Sequence, residues 1–178
     1  MIKLSIIIPC RDEEDNVNIM YENILKKLAI KDYEIIFIND HSQDNTEKNI
    51  NNLIEKDNKV KLLNNKKKGL GGTIELGLAN SSGEFVTILM ADSADSIDDL
   101  NEYVSIMNRG ECDAVFGSRF IAGGKTIDYP FLKLIFNRLG NNLARILFLS
   151  RYNDFTNSFK IYKKKVIDHL FPLVSEDF

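Results

Sequence analysis

Residues 87–100 read TILMADSADSIDDL. An apolar run stops at Met90 and Ala91, and four aspartates follow within eight residues: Asp92, Asp95, Asp98 and Asp99. The apolar half, residues 85–90, suits a strand buried on both faces. Residues 97–107 read as a helix. Ser96 followed by Asp99 has the pattern of a capping box, and acids in a first helical turn favour the helix dipole. Asp98 and Asp99 are thereby explained by helix initiation. Asp92, directly after the strand, and Asp95 are left for another purpose.

The same strand-to-helix unit recurs outward in both directions. Residues 4–8, 33–38, 60–63 and 114–116 read as further strands. Residues 16–28 carry Val17, Met20, Tyr21, Ile24, Leu25 and Leu28 at helical spacing, and residues 44–54 and 72–79 also read as helices. A βαβα order predicts an α/β fold, with a mostly parallel central sheet and flanking helices. Ligands of such sheets sit beyond the carboxyl ends of the strands. That places the polar clusters at 9–13, 39–42, 92–96 and 117–120 along one rim.

Composition bounds the function. With 178 residues and 44% apolar content, the chain suits one globular domain. A net charge of −3 and a pI near 5.5 argue against a general nucleic-acid binder. Cys10 and Cys112 lack metal-like spacing and read as reduced thiols of a cytosolic protein. No signal-peptide pattern opens the chain, and no apolar run reaches the roughly 18 residues of a membrane span. Two nucleotide motifs fail by counting. The GLGG at 69–72 would need its third glycine at Ile74, and the GGKT at 123–126 would need its first at Arg119. His41 and His169 are the only histidines, and no zinc spacing appears.

An acidic rim would repel a diphosphate unless a divalent cation lies between them. Mg²⁺ commonly uses one or two carboxylates and completes its shell with water and substrate phosphate. Asp92 is the best single ligand and Asp95 a helper.

Taken together, SIIIPCRDEEDN (5–16), YEIIFINDHSQDNT (33–46), GLGGTIELGLANSSGEFVTILMADSADSIDDL (69–100), GSRFIAGG (117–124), NRLGNN (137–142) and DFTNSFKIY (154–162) resemble the family 2 glycosyltransferases of the GT-A fold. Within these, the resemblance is to the dolichol-phosphate mannosyltransferase (polyprenyl-phosphate hexose synthase) group. It covers nearly the whole chain, which implies a single catalytic domain over 1–178. The family's chains continue beyond the point where this one stops, so a C-terminally truncated domain with weakened donor affinity is expected. The resemblance implies that Pro9, Arg11 and Glu13 embrace a nucleoside and that Ile38 and Asp40 hold base and ribose. It sets Met90, Ala91 and Asp92 at the family's Asp-x-Asp motif and turns Arg119 toward phosphate. A planar guanidinium can grip phosphate oxygens in pairs. The chain departs from the family at four places. Met90 replaces the first aspartate, which leaves metal binding to Asp92 with Asp95, Ser93 or water. Asn39 replaces an aspartate and makes the pocket less acidic. His41 replaces a glycine and reads as a tolerated loop residue. Asn157 also stands where glycine is frequent, and a left-handed turn is expected there.

Residues 130–151, PFLKLIFNRLGNNLARILFLSR, predict an amphipathic basic helix. Leu132, Ile135, Phe136, Leu139, Leu143, Ile146 and Leu147 fall at helical spacing. Phe131, Leu134, Phe148 and Leu149 widen the arc. Lys133, Arg138 and Arg145 are interleaved without acids. Packing into a core with solvated arginines is one reading. The other, which the resemblance favours, is a membrane interface with an anionic acceptor headgroup on those three cations.

The activity implied is transfer of a hexose, with inversion, from a nucleotide-diphosphate sugar of the GDP-mannose or UDP-glucose type. The acceptor implied is a polyprenyl phosphate on the cytoplasmic membrane face. Asp92 and Arg119 would carry catalysis, with Mg²⁺ or Mn²⁺ as cofactor. A phosphate acceptor is already an anion at neutral pH and needs no general base. Two alternatives stand beside it. One is a saccharide-hydroxyl acceptor, which would need a base such as Asp95 or Asp154. The other is a non-catalytic nucleotide-sugar binding module.

Overall fold

The computed structural model describes residues 2–121 and 130–171. In chain order the elements are β1 (Leu4–Cys10), α1 (Val17–Lys27), β2 (Tyr33–Asn39), α2 (Thr46–Ile54), β3 (Val60–Asn64) and α3 (Leu70–Asn80). There follow β4 (Phe85–Ile88), α4 (Ile97–Asn108), β5 (Ala114–Phe116), α5 (Phe131–Leu147), β6 (Lys160–Lys163) and α6 (Lys164–Leu170). The six strands form one sheet in the order β3-β2-β1-β4-β6-β5. β1 pairs in parallel with β2 and β4, and β2 with β3, while β6 pairs antiparallel with β4. The α/β class with a mostly parallel sheet is as the strand-helix alternation implies.

β6 and α6 are absent from the sequence reading. β6 is only KIYK, with charge at both ends, and its inward residue is Ile161 alone. Four residues are too few for a period to show against lysines. β4 is shorter than its apolar run because the Met90 amide turns to the Asp95 carboxylate (3.1 Å).

Residues 116–160 form one compact unit and the remaining described residues another. In the larger unit β1 and β2 are buried along their whole length, with Ile6, Ile7, Ile8, Ile35, Ile36, Phe37 and Ile38 fully enclosed. Each such side chain contributes about 1.5–3 kcal/mol by leaving water. Ile7, Ile36, Ile38, Val86 and Ile88 meet Leu78 of α3 and Ile167 of α6 in one cluster. α3 approaches the sheet through Gly77: a Cβ there would stand 2.5 Å from Ile7 Cγ2 and 2.6 Å from Ile38 Cδ1. α1 packs beside α2 and α4. Asn101 of α4 fastens the end of α1, donating to the Lys27 carbonyl and accepting from the Ala29 amide (both 2.9 Å).

Strand order reverses between β1 and β4. The chain moves from β1 outward to β3 and then returns to β1's other side. Open α/β sheets bind ligands at such a switch point, beyond the carboxyl ends. Here the loops that flank it are 11–16 and 89–96. The opposite end of the sheet holds a structural carboxylate. Glu34 is buried and accepts from Ser5 Oγ (2.5 Å), Ser82 N (2.8 Å), Ser82 Oγ (2.7 Å) and Lys61 Nζ (2.7 Å).

Candidate functional site

The β1 and β2 loops are laced together by their own acids. Asp12, in a left-handed conformation (φ 56°), donates its amide to Ser42 Oγ (3.1 Å) and accepts from the Gln43 amide (2.7 Å). The Glu13 amide donates to Thr46 Oγ1 (2.7 Å), and its carboxylate accepts from Asn16 (2.6 Å). Glu14 accepts from the Asn45 backbone (2.9 Å) and side chain (2.8 Å), while its amide donates to Asp44 (3.0 Å). Much of the charge in RDEED is therefore fastening. His41 also lies in the left-handed region (φ 62°), which accounts for glycine at this place in the resembling family. Asn39 donates to Glu47 (3.2 Å) and Asn64 (3.0 Å) and accepts from the Ser42 amide (3.1 Å). A carboxylate could not make the two donations.

Pro9 is buried at the end of β1, and Arg11 is exposed just beyond it. Ile38 is wholly core, in register with Pro9 and Leu63. Asp40 is buried and accepts from Asn65 Nδ2 (2.8 Å) and the Gly69 amide (3.1 Å), with Arg11 Nη1 at 4.0 Å. It thus holds the β3–α3 loop, where Gly69 takes φ 116° to open α3. The sequence marks Gly69 only as the start of GLGG and does not mark Asn65, because their partner Asp40 is brought by β2 and not by neighbouring residues. Cys10 and Cys112 are both free thiols. Burial, then the charges of Glu13 and Asp44, push the Cys10 thiol far up, so it is inert at neutral pH.

Past β4, Ala91 is buried and Asp92 is exposed. Asp92 Oδ1 accepts from the Ala94 amide (3.0 Å). Asp95 is half-buried and braces the same turn through the Met90 amide. Between them Ser93 takes φ 59°, and its hydroxyl oxygen is buried with no hydrogen-bond partner. The Ser96 hydroxyl accepts from the Asp99 amide (3.2 Å) and caps α4, as the spacing implies. Among the described residues no group of three or more His, Cys, Asp or Glu side chains gathers as a metal cage. Asp92, Asp95 and Ser93 each carry oxygen donors of the chemical kind that hard divalent ions take.

The smaller unit holds the other sequence-predicted residues. Arg119 grips Asp154, which is wholly buried: Nε to Oδ2 is 2.8 Å, Nη2 to Oδ1 is 2.6 Å, and the Arg119 amide also donates to Oδ2 (3.0 Å). Burial pushes the Asp154 carboxyl up. The Arg119 hydrogen bonds and charge outweigh that and hold it below the usual carboxylate range. The Phe120 ring lies under two guanidinium groups, Arg119 at 5.4 Å and Arg138 at 4.9 Å. Arg138 comes from α5, and that pairing brings two expected phosphate-handling residues to one ring. Lys133 and Arg145 are exposed on the same helix.

The described residues leave the apolar face of α5 uncovered. Leu132, Phe136, Leu139, Leu143, Ile146 and Leu147 are each 59–70% exposed, whereas Asn141 on the other side is 2% exposed. Among the described residues α5 is therefore not the core-packed helix of the first reading. Asn157 departs from expectation too. It is not in a left-handed turn; its side chain donates to the Gly117 carbonyl (3.0 Å) and accepts from the Phe159 amide (3.1 Å). The GGKT at 123–126 and the chain end at 172–178 lie outside the described residues.

The model of "Glycosyl transferase family 2" matches residues 5–171. The chain is similar to a dolichol-phosphate mannosyltransferase of Pyrococcus furiosus, 25% identical over 94% of this chain and 48% of that protein. It is also similar to a dolichyl-phosphate beta-glucosyltransferase of Dictyostelium discoideum, 28% identical over 96% of this chain and 57% of that protein. The chain thus spans about half the length of these curated relatives. Its fold matches a mannosyltransferase of Pyrobaculum calidifontis solved with GDP-Man and Mn²⁺, at a TM-score of 0.64 and 15% identity, over 95% of this chain and 46% of that one. With a sheet, a switch point and a family match that run almost end to end, the chain belongs to glycosyl transferase family 2.

Proposed function

We propose that the chain is the catalytic domain of an inverting glycosyltransferase. It moves a hexose from a nucleotide-diphosphate sugar of the GDP-mannose or UDP-glucose type to a polyprenyl phosphate. The observation that carries this reading is the outward apolar face of α5, edged by Lys133, Arg138 and Arg145, in a chain of this family. A basic helix with an apolar face suits the interface of an anionic membrane, here its cytoplasmic face, with the chain bound peripherally. The names of both curated relatives include dolichol or dolichyl phosphate, and the Pyrobaculum structure pairs GDP-Man with Mn²⁺.

In this reading Pro9, Arg11, Glu13, Ile38, Asp40 and Ala91 shape the nucleoside pocket at the switch point. Asp92, helped by Asp95 and Ser93, would hold the divalent ion. When bound, that ion supplies positive charge against the leaving diphosphate. Arg119 adds a guanidinium for phosphate oxygens. Lys133, Arg138 and Arg145 hold the acceptor's phosphate. A phosphate oxygen of the acceptor forms the new bond to the anomeric carbon as the bond to the diphosphate breaks on the opposite side. The nucleoside diphosphate departs and the configuration inverts. No proton must be removed from this acceptor, since a phosphate monoester is already anionic. Asp154, paired with Arg119 and held in its ionised form, is a poor base for a hydroxyl acceptor.

The test is transfer itself. The chain, mixed with radiolabelled GDP-mannose or UDP-glucose, Mn²⁺ and short polyprenyl phosphate, is expected to give an acid-labile lipid-linked hexose. Transfer to a saccharide hydroxyl, with none to the lipid phosphate, would refute the acceptor assignment.

A further inference from the structure

Asp154 has no exposed surface, yet no catalytic step above uses it. Its two carboxylate oxygens take the Nε–Nη2 edge of Arg119, so the guanidinium plane is fixed and not merely neutralised. The same guanidinium donates from Nη2 to Thr156 Oγ1 (3.0 Å). Thr156 Oγ1 lies 3.3 Å from Asn137 Oδ1 and accepts from Asn141 Nδ2 (3.3 Å). Both asparagines belong to α5. Asn141 also accepts the Phe155 amide (2.6 Å) and lies buried on the side of α5 away from its exposed leucines. A buried carboxylate, a guanidinium and the inner face of the basic helix therefore share one hydrogen-bonded joint inside the smaller unit.

We infer that Asp154 is the positioning residue for Arg119, and that through Thr156, Asn137 and Asn141 it fixes that guanidinium relative to helix α5. The inference rests on the proposed role of Arg119 at phosphate. It assigns Asp154 neither proton transfer nor contact with substrate. The opposite account is that Asp154 simply masks a positive charge. The two differ in sign. Loss of a positioning carboxylate weakens phosphate binding, whereas loss of a masking one strengthens it.

The experiment is calorimetry of GDP and UDP with Mn²⁺ on the unmodified chain and on four variants, well below each melting temperature. These are Arg119→Gln, Asp154→Asn, the double variant and Thr156→Val. Arg119→Gln and Asp154→Asn are each expected to raise the nucleotide Kd by roughly tenfold or more, the scale of a lost charge-assisted hydrogen bond. The double variant is expected to bind no more weakly than Arg119→Gln alone, because Asp154 acts through Arg119. Thr156→Val keeps the ion pair and cuts the hydrogen bonds that join Arg119 to α5 through Thr156. It is expected to fold and still weaken binding severalfold, which keeps the test open if Asp154→Asn does not fold. Unchanged or tighter binding in folded Asp154→Asn, or unchanged binding in Thr156→Val, would overturn the inference while the functional reading stands. Absence of nucleotide binding by the unmodified chain would overturn that reading, and the inference with it.

Discussion

At the scale of single residues, much of the charge serves structure. Glu34 shows this at the far end of the sheet. Burial raises its carboxyl, but the bonds from Lys61, Ser5 and Ser82 outweigh burial and hold it below the usual range. Asp154 behaves the same way. A carboxyl depressed in the folded state adds stability that is complete above its unfolded value, near about 4, and is lost as pH falls through the folded value. The melting temperature is therefore expected to drop steeply as pH falls from about 4 downward, and less steeply in Glu34→Gln. An unaltered slope in that variant would disprove the assignment. Gly77→Ala is expected to destabilise the chain by about 1–3 kcal/mol, because its Cβ has no room against Ile7 and Ile38. Chemical denaturation measures this, and a neutral change would contradict the close packing of α3. The position of Asp92 beyond β4 and the Ser96 cap were legible in the sequence because a strand end and a capping pattern are local signals. The partners of Asp40 and Asp154 were not. Asn65 lies 25 residues from Asp40 and Asp154 lies 35 from Arg119, and only the fold brings them together.

At the scale of elements, α5 is the one whose surface runs against the ordinary rule. Its polar inner side, Asn137 and Asn141, is engaged with residues 154–156, while its leucines face outward. The periodicity marked the helix correctly but could not say which face is covered, since a hydrophobic stripe looks the same against a core or a lipid surface. Replacing Phe136 and Leu139 by Asp is expected to abolish binding to vesicles of mixed phosphatidylcholine and phosphatidylserine without lowering the melting temperature, because neither side chain is buried. A lowered melting temperature with vesicle binding intact would point instead to a packing role. Reversing Arg145 to Glu is expected to weaken vesicle binding by about 2 kcal/mol, since it exchanges an attraction of roughly 1 kcal/mol for a repulsion of like size. The loss should vanish at high salt. β6 eluded the sequence for a related reason. KIYK takes its strand character from β4 beside it, in register Phe85 with Lys163 through Thr87 with Ile161, and not from its own pattern.

At the scale of the whole molecule, the strand order fixes where chemistry can occur. Reversal between β1 and β4 puts the loops after those strands at one crevice, and Asp92 is the exposed carboxylate directly beyond β4. The strand-helix alternation already implied that the 89–96 loop lies at this end of the sheet. Met90, where the family has an aspartate, concentrates the whole account on Asp92. Among the described residues no helix is long and apolar enough to cross a membrane. The most direct measurement is calorimetric binding of GDP-mannose and UDP-glucose to the unmodified chain and to Asp92→Ala, with Mn²⁺ and with EDTA. One donor is expected to bind with Mn²⁺, and to lose roughly tenfold or more in affinity both in EDTA and in Asp92→Ala. Donor binding of equal strength under all three conditions would contradict it.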